Sequence, residues 1–498
     1  MLRFKIKFIT NFIRLSIKLI WKNFSKFDNF IIFYFTILQY RLLINKRYIY
    51  IHVENYAREF DAKLLLSLLA VEKNTKILLG NVNHLVQKKN IPNGLFHNKD
   101  ITGSKEIINM FKNIKKNKLV ITSQDEEGGI EGRTPVKFMQ KRYSDKTLSI
   151  VDRVFTFGEF DTDYLKKKYP RFEDKFLNTG TPRFDFYKPL LNKEINKKKY
   201  ILISSNFATV LERKRFWERI EVEKNAYFKN SNYEEKYVFE EFSHNTYKIY
   251  HMVQLIRYLT KKYKNEKFIF RPHPVESIEG WKKLIGKIKN LEVIRTGSLV
   301  DWIINAKVLI QSGCYSAIEA SLAGTDIITF QPKFIEPYDK YFPSSLGYYC
   351  KNISEVDNKL TFLIKKKIND MDKIKNLNKV RKRLNYSEDL LSSSEIVKIW
   401  KNLLNDKKTN LKSEMVFEQN LFVQEIIFKI KNIFKKLNLL KLKKVDTKII
   451  NEKYDTKFPE LNLNNINKVT KGLIKKLNLK KNVKIKQINN HLCFITIK

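Results

Sequence analysis

The sequence predicts an α/β protein in which two Rossmann-like domains face each other across a cleft. Between about residues 46 and 400, short β-branched or aromatic runs alternate with longer helical patterns, as is typical of parallel α/β construction. The alternation occurs in two blocks, joined by a stretch at 179–190 that contains one Gly and two Pro. The chain of 498 residues is also long enough for two or three domains.

The individual elements follow from the positions of these runs. In the first block we predict a helix at 58–70 and strands at 48–53, 76–80, 119–123 and 153–158. In the second block we predict strands at 200–204, 267–271, 291–295, 308–311 and 326–330, with helical segments between them. We therefore expect an N-terminal Rossmann-like domain at 46–190 and a C-terminal Rossmann-like domain at 191–405.

Basic segments flank the two domains. Residues 1–45 begin with seven Lys or Arg and no acid in the first 27 positions, interleaved with Phe, Ile and Leu. Such a stretch fits the interface of an anionic membrane, and an amphipathic helix packed on the protein is the alternative. Residues 406–498, rich in Lys and Asn, predict a mostly helical extension. This extension is either a solvated accessory domain or an appendage that binds a membrane or a partner.

Cysteine usage and hydropathy bear on the cellular compartment. Cys314, Cys350 and Cys493 lie far apart, which argues against a disulfide framework and a CxxC zinc site. No cleavable signal is visible, and the longest early apolar run is shorter than the roughly 20 residues of a spanning helix. We therefore expect a cytoplasmic protein that can also associate peripherally with the inner membrane.

The chain is strongly basic. Its 96 Lys and Arg against 52 Asp and Glu give a formal net charge of +44, which suggests polyanionic partners. The abundance of Lys, Asn and Ile is also typical of coding sequences rich in A and T, so much of this charge can be drift on solvated faces. Because we find no nucleic-acid-binding motif, GxGxxG or Walker A loop, we expect no nucleic acid partner and disfavour a standard dinucleotide or P-loop enzyme.

Three consecutive carboxylates follow a predicted strand. The strand at 119–123 runs into Gln124 and then into Asp125, Glu126 and Glu127, followed by two glycines. Ligands of open α/β sheets collect beyond the carboxyl ends of strands, where a carboxylate can remove the proton of an acceptor hydroxyl. Clustered carboxylates also raise the pKa of at least one member. Asp125 and Glu126 are therefore candidate catalytic residues, and an acidic surface turn is the alternative.

A second strand end carries an Arg and a His. Arg271 and His273 are separated by Pro272, and on an extended segment residues two apart point to the same side. An Arg can neutralise a phosphate leaving group, and a His can donate a proton or hydrogen bond to it. A structural histidine at the end of a strand is the alternative.

A small-residue turn follows the predicted strand at 308–311. Ser312, Gly313 and Ser316 precede or begin a helical pattern, so backbone amides and hydroxyls there would form an anion cradle. Glu319, one turn further, could accept hydrogen bonds from ribose hydroxyls. Ser316 and Glu319 also match a capping box, which requires no ligand.

These motifs occur in an order that resembles bacterial CMP-sugar glycosyltransferases of the GT-B fold, including sialyltransferases and Kdo transferases. The sequences VENYAREFDAKLLL at 53–66, GTPRFD at 180–185 and RPHP at 271–274 look more closely like the bacterial surface carbohydrate biosynthesis family. The resemblance covers about residues 48–400. It implies a GT-B-like fold and a cytoplasmic enzyme with no cofactor and no metal ligands.

The resemblance also implies roles for individual residues. Asp125 or Glu126 would act on the acceptor, although this chain has three acids where the motif has two. His273 would assist the departing CMP phosphate, and Arg58 and Glu59 would lie near the acceptor side of the cleft. Ser312 and Ser316 would hold the nucleotide phosphate, and Glu319 would hold the ribose.

The implied activity is transfer of an acidic sugar, Kdo-like or sialic-like, from a CMP-activated donor. The acceptor would be a lipid-linked or oligosaccharide precursor of capsule or lipopolysaccharide, and an anionic inner-membrane surface is a further expected partner. Two alternatives remain open at this point. One is a polyol-phosphate transferase that uses a CDP-glycerol type of donor, and the other is a non-catalytic basic binding protein.

Overall fold

The computed structural model describes residues 46–128, 142–191, 199–211, 235–336, 338–339, 341–365, 371–405, 411–436 and 458–498. The basic segment at 1–45, for which a membrane-interface helix and an amphipathic helix packed on the protein are the alternatives, lies outside the described residues.

The first sheet has eight strands. Six of them are parallel and follow one another along the chain, and their near-continuous burial matches strands that are covered on both faces. The sheet order is β13-β14-β2-β1-β3-β4-β5-β6. The strands are β1 (Arg47–His52), β2 (Thr75–Gly80), β3 (Gly94–Asn98), β4 (Val120–Gln124), β5 (Arg153–Thr156), β6 (Phe176–Asn178), β13 (Val483–Asn489) and β14 (Leu492–Ile497).

The second sheet has six strands, all parallel, in the order β12-β11-β10-β7-β8-β9. Its strands are β7 (Tyr200–Ser204), β8 (Phe268–Arg271), β9 (Leu291–Val293), β10 (Ala306–Gln311), β11 (Asp326–Phe330) and β12 (Tyr348–Cys350). β7 and β10 are the two central strands, so the residues that follow them lie at the middle of the edge formed by the carboxyl ends of the strands.

Helices cover the faces of both sheets. Those of the first block are α1 (Tyr56–Ala70), α2 (Asn83–Val86), α3 (Lys105–Lys116), α4 (Asp145–Leu148), α5 (Glu159–Lys168) and α6 (Pro182–Asp185). Those of the second block are α7 (Ala208–Leu211), α8 (Glu235–Lys262), α9 (Ile278–Ile285), α10 (Leu299–Ile304), α11 (Ser316–Leu322), α12 (Tyr341–Ser344), α13 (Ile353–Lys365) and α14 (Met371–Arg383). The C-terminal helices are α15 (Ser392–Leu404), α16 (Leu411–Lys436) and α17 (Leu463–Lys476).

The C-terminal elements that follow the second sheet in sequence pack on the first sheet. α15 packs on α1, and its buried side chains, among them Trp400, join the core on that face of the first sheet. α16 and the β13–β14 hairpin also pack on or extend the first sheet. The C-terminal extension thus contains the expected helices and, in addition, a hairpin that the sequence analysis does not predict.

The predicted fold class is confirmed: this is an α/β protein with two Rossmann-like domains in a GT-B-like arrangement, in which an antiparallel hairpin extends the parallel strands of the first sheet. A single hydrophobic cluster connects the two halves, because Phe157 and Phe184 of the first block pack with Leu202, Leu309 and Ala317 of the second. Within the described residues, no helix is both long enough and apolar enough to cross a membrane.

Candidate functional site

A cavity of about 610 Å³ lies between the two halves, at the carboxyl ends of their strands. Glu126 borders it just after β4, and Ser204 and Arg271, which end β7 and β8, border it from the other side together with Ser312 after β10. This is where ligands bind in open α/β sheets. The cavity therefore brings together residues from all three motifs.

The charges around the cavity are mixed. Its lining includes five basic side chains, Arg58, Arg183, Lys248, Arg271 and Arg295, and six acidic ones, Asp61, Glu126, Glu127, Glu241, Glu319 and Asp339. The two signs nearly balance, so the net charge of the chain is not concentrated here.

Glu126 is the carboxylate of the acidic run that is both buried and placed on the cavity. One of its oxygens, Oε1, lies 3.2 Å from Nζ of Lys63, and Lys63 itself is almost completely buried. The other oxygen, Oε2, has no hydrogen-bonding partner in the described part of the chain. A buried carboxylate oxygen without a donor is costly, so a donor from a bound ligand would be favourable here.

Asp125 does not line the cavity. Its carboxylate forms a two-pronged ion pair with Arg142, in which Nε donates to Oδ2 at 2.5 Å, and it also accepts the backbone N–H of Glu127. Both oxygens are thereby engaged inside the protein. The structure thus turns Asp125, one of the two expected bases, toward Arg142 and leaves Glu126 at the cavity.

Arg58 and Glu59 occupy different environments. Arg58 lines the cavity and bridges Glu59 and Glu127 at 3.1 and 3.2 Å. Glu59 is fully buried, and its oxygens accept the backbone N–H groups of Glu54 and Asn55 and the ammonium of Lys63. Glu59 therefore anchors the start of α1 and, unlike Arg58, does not line the cavity.

The charge partners of Glu59 keep it ionised. Burial alone would raise the pKa of Glu59, but the charges of Lys63 and Arg58 outweigh this effect and hold the pKa well below its usual range. Lys63 also donates to the carbonyl oxygen of His52 at 2.7 Å, so it joins α1, the end of β1 and the acidic run. The sequence analysis missed Lys63.

Arg271 and His273 differ in what they can offer a ligand. The Arg271 guanidinium donates to the carbonyl oxygens of Thr296 and Gly297 at 2.6 and 3.3 Å, so it holds the loop after β9. Burial and the nearby charge of Arg295 lower the pKa of Arg271 to about 10. His273 borders the cavity, and its backbone N–H donates to Ser205 Oγ at 3.2 Å. Both residues border the cavity, but the Arg271 guanidinium is already engaged by two carbonyl oxygens.

Arg295, which also lines the cavity, holds the Arg-Pro-His-Pro turn in place. Its Nη1 donates to the carbonyl oxygens of His273, Pro274 and Glu276 at 3.3, 2.8 and 2.8 Å. Such convergence of one guanidinium on three carbonyls orders the turn before any ligand arrives.

The serine turn lies on the cavity as expected, but without the capping box. Ser312 donates to Gln331 Oε1 at 3.3 Å, and Ser316 Oγ lies 2.9 Å from Ser204 Oγ. Gly313 has φ +69°, a left-handed conformation that favours glycine. The start of α11 has no side-chain cap, so the alternative reading of Ser316 and Glu319 as a capping box is not realised.

Glu319 pairs with Arg183, a second residue whose role the sequence analysis missed. Arg183 Nη2 donates to Glu319 Oε1 and Nη1 donates to the carbonyl oxygen of Glu126, both at 3.1 Å. The Arg183 guanidinium also stacks 4.5 Å from the ring centroid of Tyr315. Burial raises the pKa of Glu319 although the Arg183 charge opposes this shift. One side chain of the GTPRFD segment thus connects the acidic run after β4 with Glu319 of α11.

A further buried cluster forms the cavity wall at α8. Asp339 accepts from Lys248 Nζ at 2.5 Å and lies 2.7 Å from His244 Nε2. Lys248 and Asp339 line the cavity, and burial lowers the pKa of Lys248. No sequence motif marks these residues, because their partners are distant along the chain. Among the described residues, no group of His, Cys, Asp or Glu has the arrangement of a metal site.

Fold and site together describe a two-domain GT-B-like scaffold with an interdomain cavity that holds carboxylates, a histidine and hydroxyls. No family model and no curated protein matches the sequence. Similar solved structures include MnaA of S. aureus with UDP, at 13% identity over 73% of this chain and 97% of that one with a TM-score of 0.42.

Two further similar structures belong to other enzymes. A glycosyltransferase from Rickettsia africae is 12% identical over 73% of this chain and 100% of that one, with a TM-score of 0.37. The wall teichoic acid polymerase TagF is 12% identical over 73% of this chain and 89% of that one, with a TM-score of 0.41. Similarity at this level carries no inference about function.

Proposed function

We propose that this chain is a glycosyltransferase of surface carbohydrate synthesis that works without a catalytic metal. It moves an acidic sugar, Kdo-like or sialic-like, from a CMP-activated donor to a hydroxyl of a lipid-linked or oligosaccharide acceptor. The observation that carries the proposal is Glu126: a buried carboxylate at an interdomain cavity, with Oε2 unpartnered among the described residues. The opposite wall carries His273 and the serine turn.

The reaction assigns one task to each side of the cavity. The acceptor hydroxyl oxygen attacks the anomeric carbon while Glu126 takes the hydroxyl proton, for which Oε2 has acceptor capacity. The bond from the anomeric carbon to the phosphate oxygen of CMP breaks, and CMP leaves with that electron pair. His273 donates a hydrogen bond or proton to the departing phosphate. Ser312, Gly313 and Ser316 hold the nucleotide.

The residues behind the site support this assignment. Lys63 holds Glu126 Oε1 and is itself fixed by Glu59 and the end of β1. Arg295 holds the turn that carries His273. A catalytic group that is held by its neighbours needs little rearrangement on reaching the transition state.

The first test is nucleotide binding by the purified full chain. A ligand that binds only the folded state raises the melting temperature, so we expect CMP to stabilise the protein more than UDP or ADP. Replacing Ser312 and Ser316 together with Ala should remove the shift. Preference for UDP or ADP would overturn the CMP assignment, and no shift with any nucleotide would favour a non-catalytic binding protein.

The second test addresses the base. We expect Glu126→Gln to lower kcat at least about 100-fold, the lower range for general base catalysis, while the CMP-induced thermal shift persists. Glu127→Gln is the matched control, because Glu127 follows directly and is half-exposed. Loss of activity in Glu127→Gln together with an active Glu126→Gln would identify Glu127 as the base.

The donor decides between the proposed reaction and its alternative. Release of CMP from CDP-glycerol, without transfer from a CMP-sugar, would establish polyol-phosphate transfer instead.

A further inference from the structure

Helix α16 is fixed to the first sheet by one face. Phe417 packs edge-on against the rings of Tyr48 and Tyr50, with ring centroids 5.8 and 6.1 Å apart, and Leu421 is buried beside it. The Tyr48 hydroxyl donates to Glu418 Oε1 at 2.7 Å. These contacts set the rotation of the helix about its axis, so its opposite face is defined.

The opposite face of α16 is apolar and exposed. Its large side chains recur at spacings of three, four and seven residues, which places them on one wide stripe of the helix. Each is between 40% and 59% exposed. The stripe consists of Val416, Phe422, Val423, Ile426, Ile427, Ile430 and Ile433. Apolar side chains scattered singly are ordinary on a protein surface, but a continuous stripe of this kind marks an interaction site.

Charge is segregated between the two faces. The three acids of α16 are turned toward the protein: Glu414 and Glu418 pair with Lys76, and Glu425 lies near Lys486. Lys429 and Lys431 are exposed beside the apolar stripe. From position 426 to the end of the helix the sequence has four Lys and no acid. The outer side of α16 thus combines apolar and basic residues.

We propose that this outer side of α16 docks on an anionic membrane surface, with the apolar stripe in the acyl boundary and the lysines at the headgroups. An exposed apolar face bordered by Lys is the composition of helices that lie in a membrane interface. The nearly balanced charge of the cavity leaves the basic excess of the chain for other surfaces, where it attracts anionic lipid.

A second copy of the chain fits this face less well. Pairing of two such helices would leave the lysines without acidic partners, because the acids of α16 are engaged on the buried side. Lys429 forms an ion pair with Glu425, yet its side chain remains 65% exposed and can reach a lipid headgroup. Charge complementarity therefore favours an anionic lipid surface as the occupant.

The test uses the full chain and vesicles of phosphatidylcholine, alone or mixed with phosphatidylglycerol. The triple variant Val423→Asn, Ile427→Asn and Ile430→Asn changes three exposed side chains, so its fold should survive. We expect at least tenfold weaker binding to the mixed vesicles in a co-sedimentation assay. The matched control changes Leu284, Ile374 and Leu390 to Asn, three similarly exposed aliphatic residues elsewhere. Equal binding of both triple variants would overturn the proposal.

Charge is tested separately. Lys429→Gln with Lys431→Gln should weaken binding to the mixed vesicles and reduce its sensitivity to salt, because headgroup attraction is screened by salt. Lys166→Gln with Lys167→Gln removes the same charge from exposed positions on α5 and should bind like the unchanged protein. If both pairs lose affinity equally, binding follows overall charge and the α16 surface is not the docking site.

Two further outcomes would also overturn the proposal. Vesicle binding that persists in the α16 triple variant would place the membrane contact elsewhere, for example in residues 1–45. A dimer in solution that dissociates in the triple variant, without loss of vesicle binding, would identify α16 as a contact between copies. The inference does not depend on the proposed reaction, because Glu126→Gln should bind vesicles like the unchanged protein whether or not it retains activity.

Discussion

At the residue scale, the candidate site depends on buried charges that are held by one another. Lys63 lies in an apolar part of α1 yet contacts Glu59, Glu126 and the His52 carbonyl oxygen. Removing one member of such a set leaves another charge buried without compensation, which is strongly destabilising. The same residues that position Glu126 are therefore also required for a stable first domain.

His52 links the stability of this region to pH. Burial lowers the pKa of His52 to about 4, and the Lys63 charge acts in the same direction. In the unfolded chain His52 takes up a proton below about pH 6.5, whereas the folded chain resists protonation down to about pH 4. The contribution of the neutral His52 ring to the free energy of unfolding is therefore complete above about pH 6.5, and it is lost as the pH falls toward 4.

We expect the free energy of unfolding to decrease between pH 6.5 and 4, with His52 contributing about 3 kcal/mol of this decrease. His52→Gln, which stays neutral, should show a flatter profile in urea unfolding measured across this range. His84→Gln is the matched control on α2, because His84 is exposed. Parallel profiles for His52→Gln and the unchanged protein would contradict this assignment.

At the element scale, the sequence identifies the central strands well because their β-branched and aromatic runs are long. β3, with the sequence GLFHN, escaped prediction because His97 and Asn98 interrupt the apolar pattern, although both are buried. β13 carries Lys484, Ile485 and Lys486, but Ile488 breaks this two-residue alternation, so the sequence does not distinguish the strand from the Lys-rich helical patterns around it. Lysines of this kind are typical of edge strands.

The residues of the candidate site also differ in how well the sequence predicts them. Glu126, His273 and the serines are predictable because each directly follows a strand, and strand ends converge in this fold. Lys63 and Arg183 are not predictable in their roles, because their partners are 63 and 136 positions away. Which residues so far apart in the chain come into contact is determined only by the tertiary structure.

Gly80 fixes the junction between β2 and the C-terminal hairpin. Its φ is +138°, and a Cβ atom there would lie 2.1 Å from the carbonyl oxygen of His491. We expect Gly80→Ala to destabilise the hairpin by about 1 to 3 kcal/mol and to speed hydrogen exchange of the β14 amides. Gly472→Ala in α17, with no atom within 4 Å of the added methyl, should be neutral or stabilising by up to about 1 kcal/mol. Unchanged exchange in β14 after Gly80→Ala would show that the junction tolerates a side chain.

At the scale of the whole molecule, Arg183 holds the two halves together where the site is formed. It joins the carbonyl of Glu126 to the carboxylate of Glu319, across a cluster in which Phe157 and Phe184 meet the second sheet. The relative position of Glu126 and Glu319 is thus fixed by one guanidinium and an apolar contact. Arg is suited to this because its planar donors can reach two acceptors at once.

We expect Arg183→Met to lower the melting temperature, because the Glu319 carboxylate would remain buried without its cation, a loss of about 3 to 5 kcal/mol. Adding Glu319→Gln should restore part of this loss, since a neutral amide is less costly to bury. Differential scanning calorimetry of the two single variants and the double variant measures the coupling. Strictly additive effects would show that the two residues do not stabilise the fold through each other.

The sheet topology has a consequence for biosynthesis. β2 is an inner strand only because β14 lies beside it, and Cys493 and its partner Leu79 are 414 positions apart in the chain. While the ribosome is translating the second block, β2 therefore presents an open edge to solvent. At translation rates of about 5 to 20 residues per second this exposure lasts on the order of tens of seconds. We expect the nascent first domain to expose this strand edge, to which another chain can add a strand, until the C-terminal hairpin has been translated.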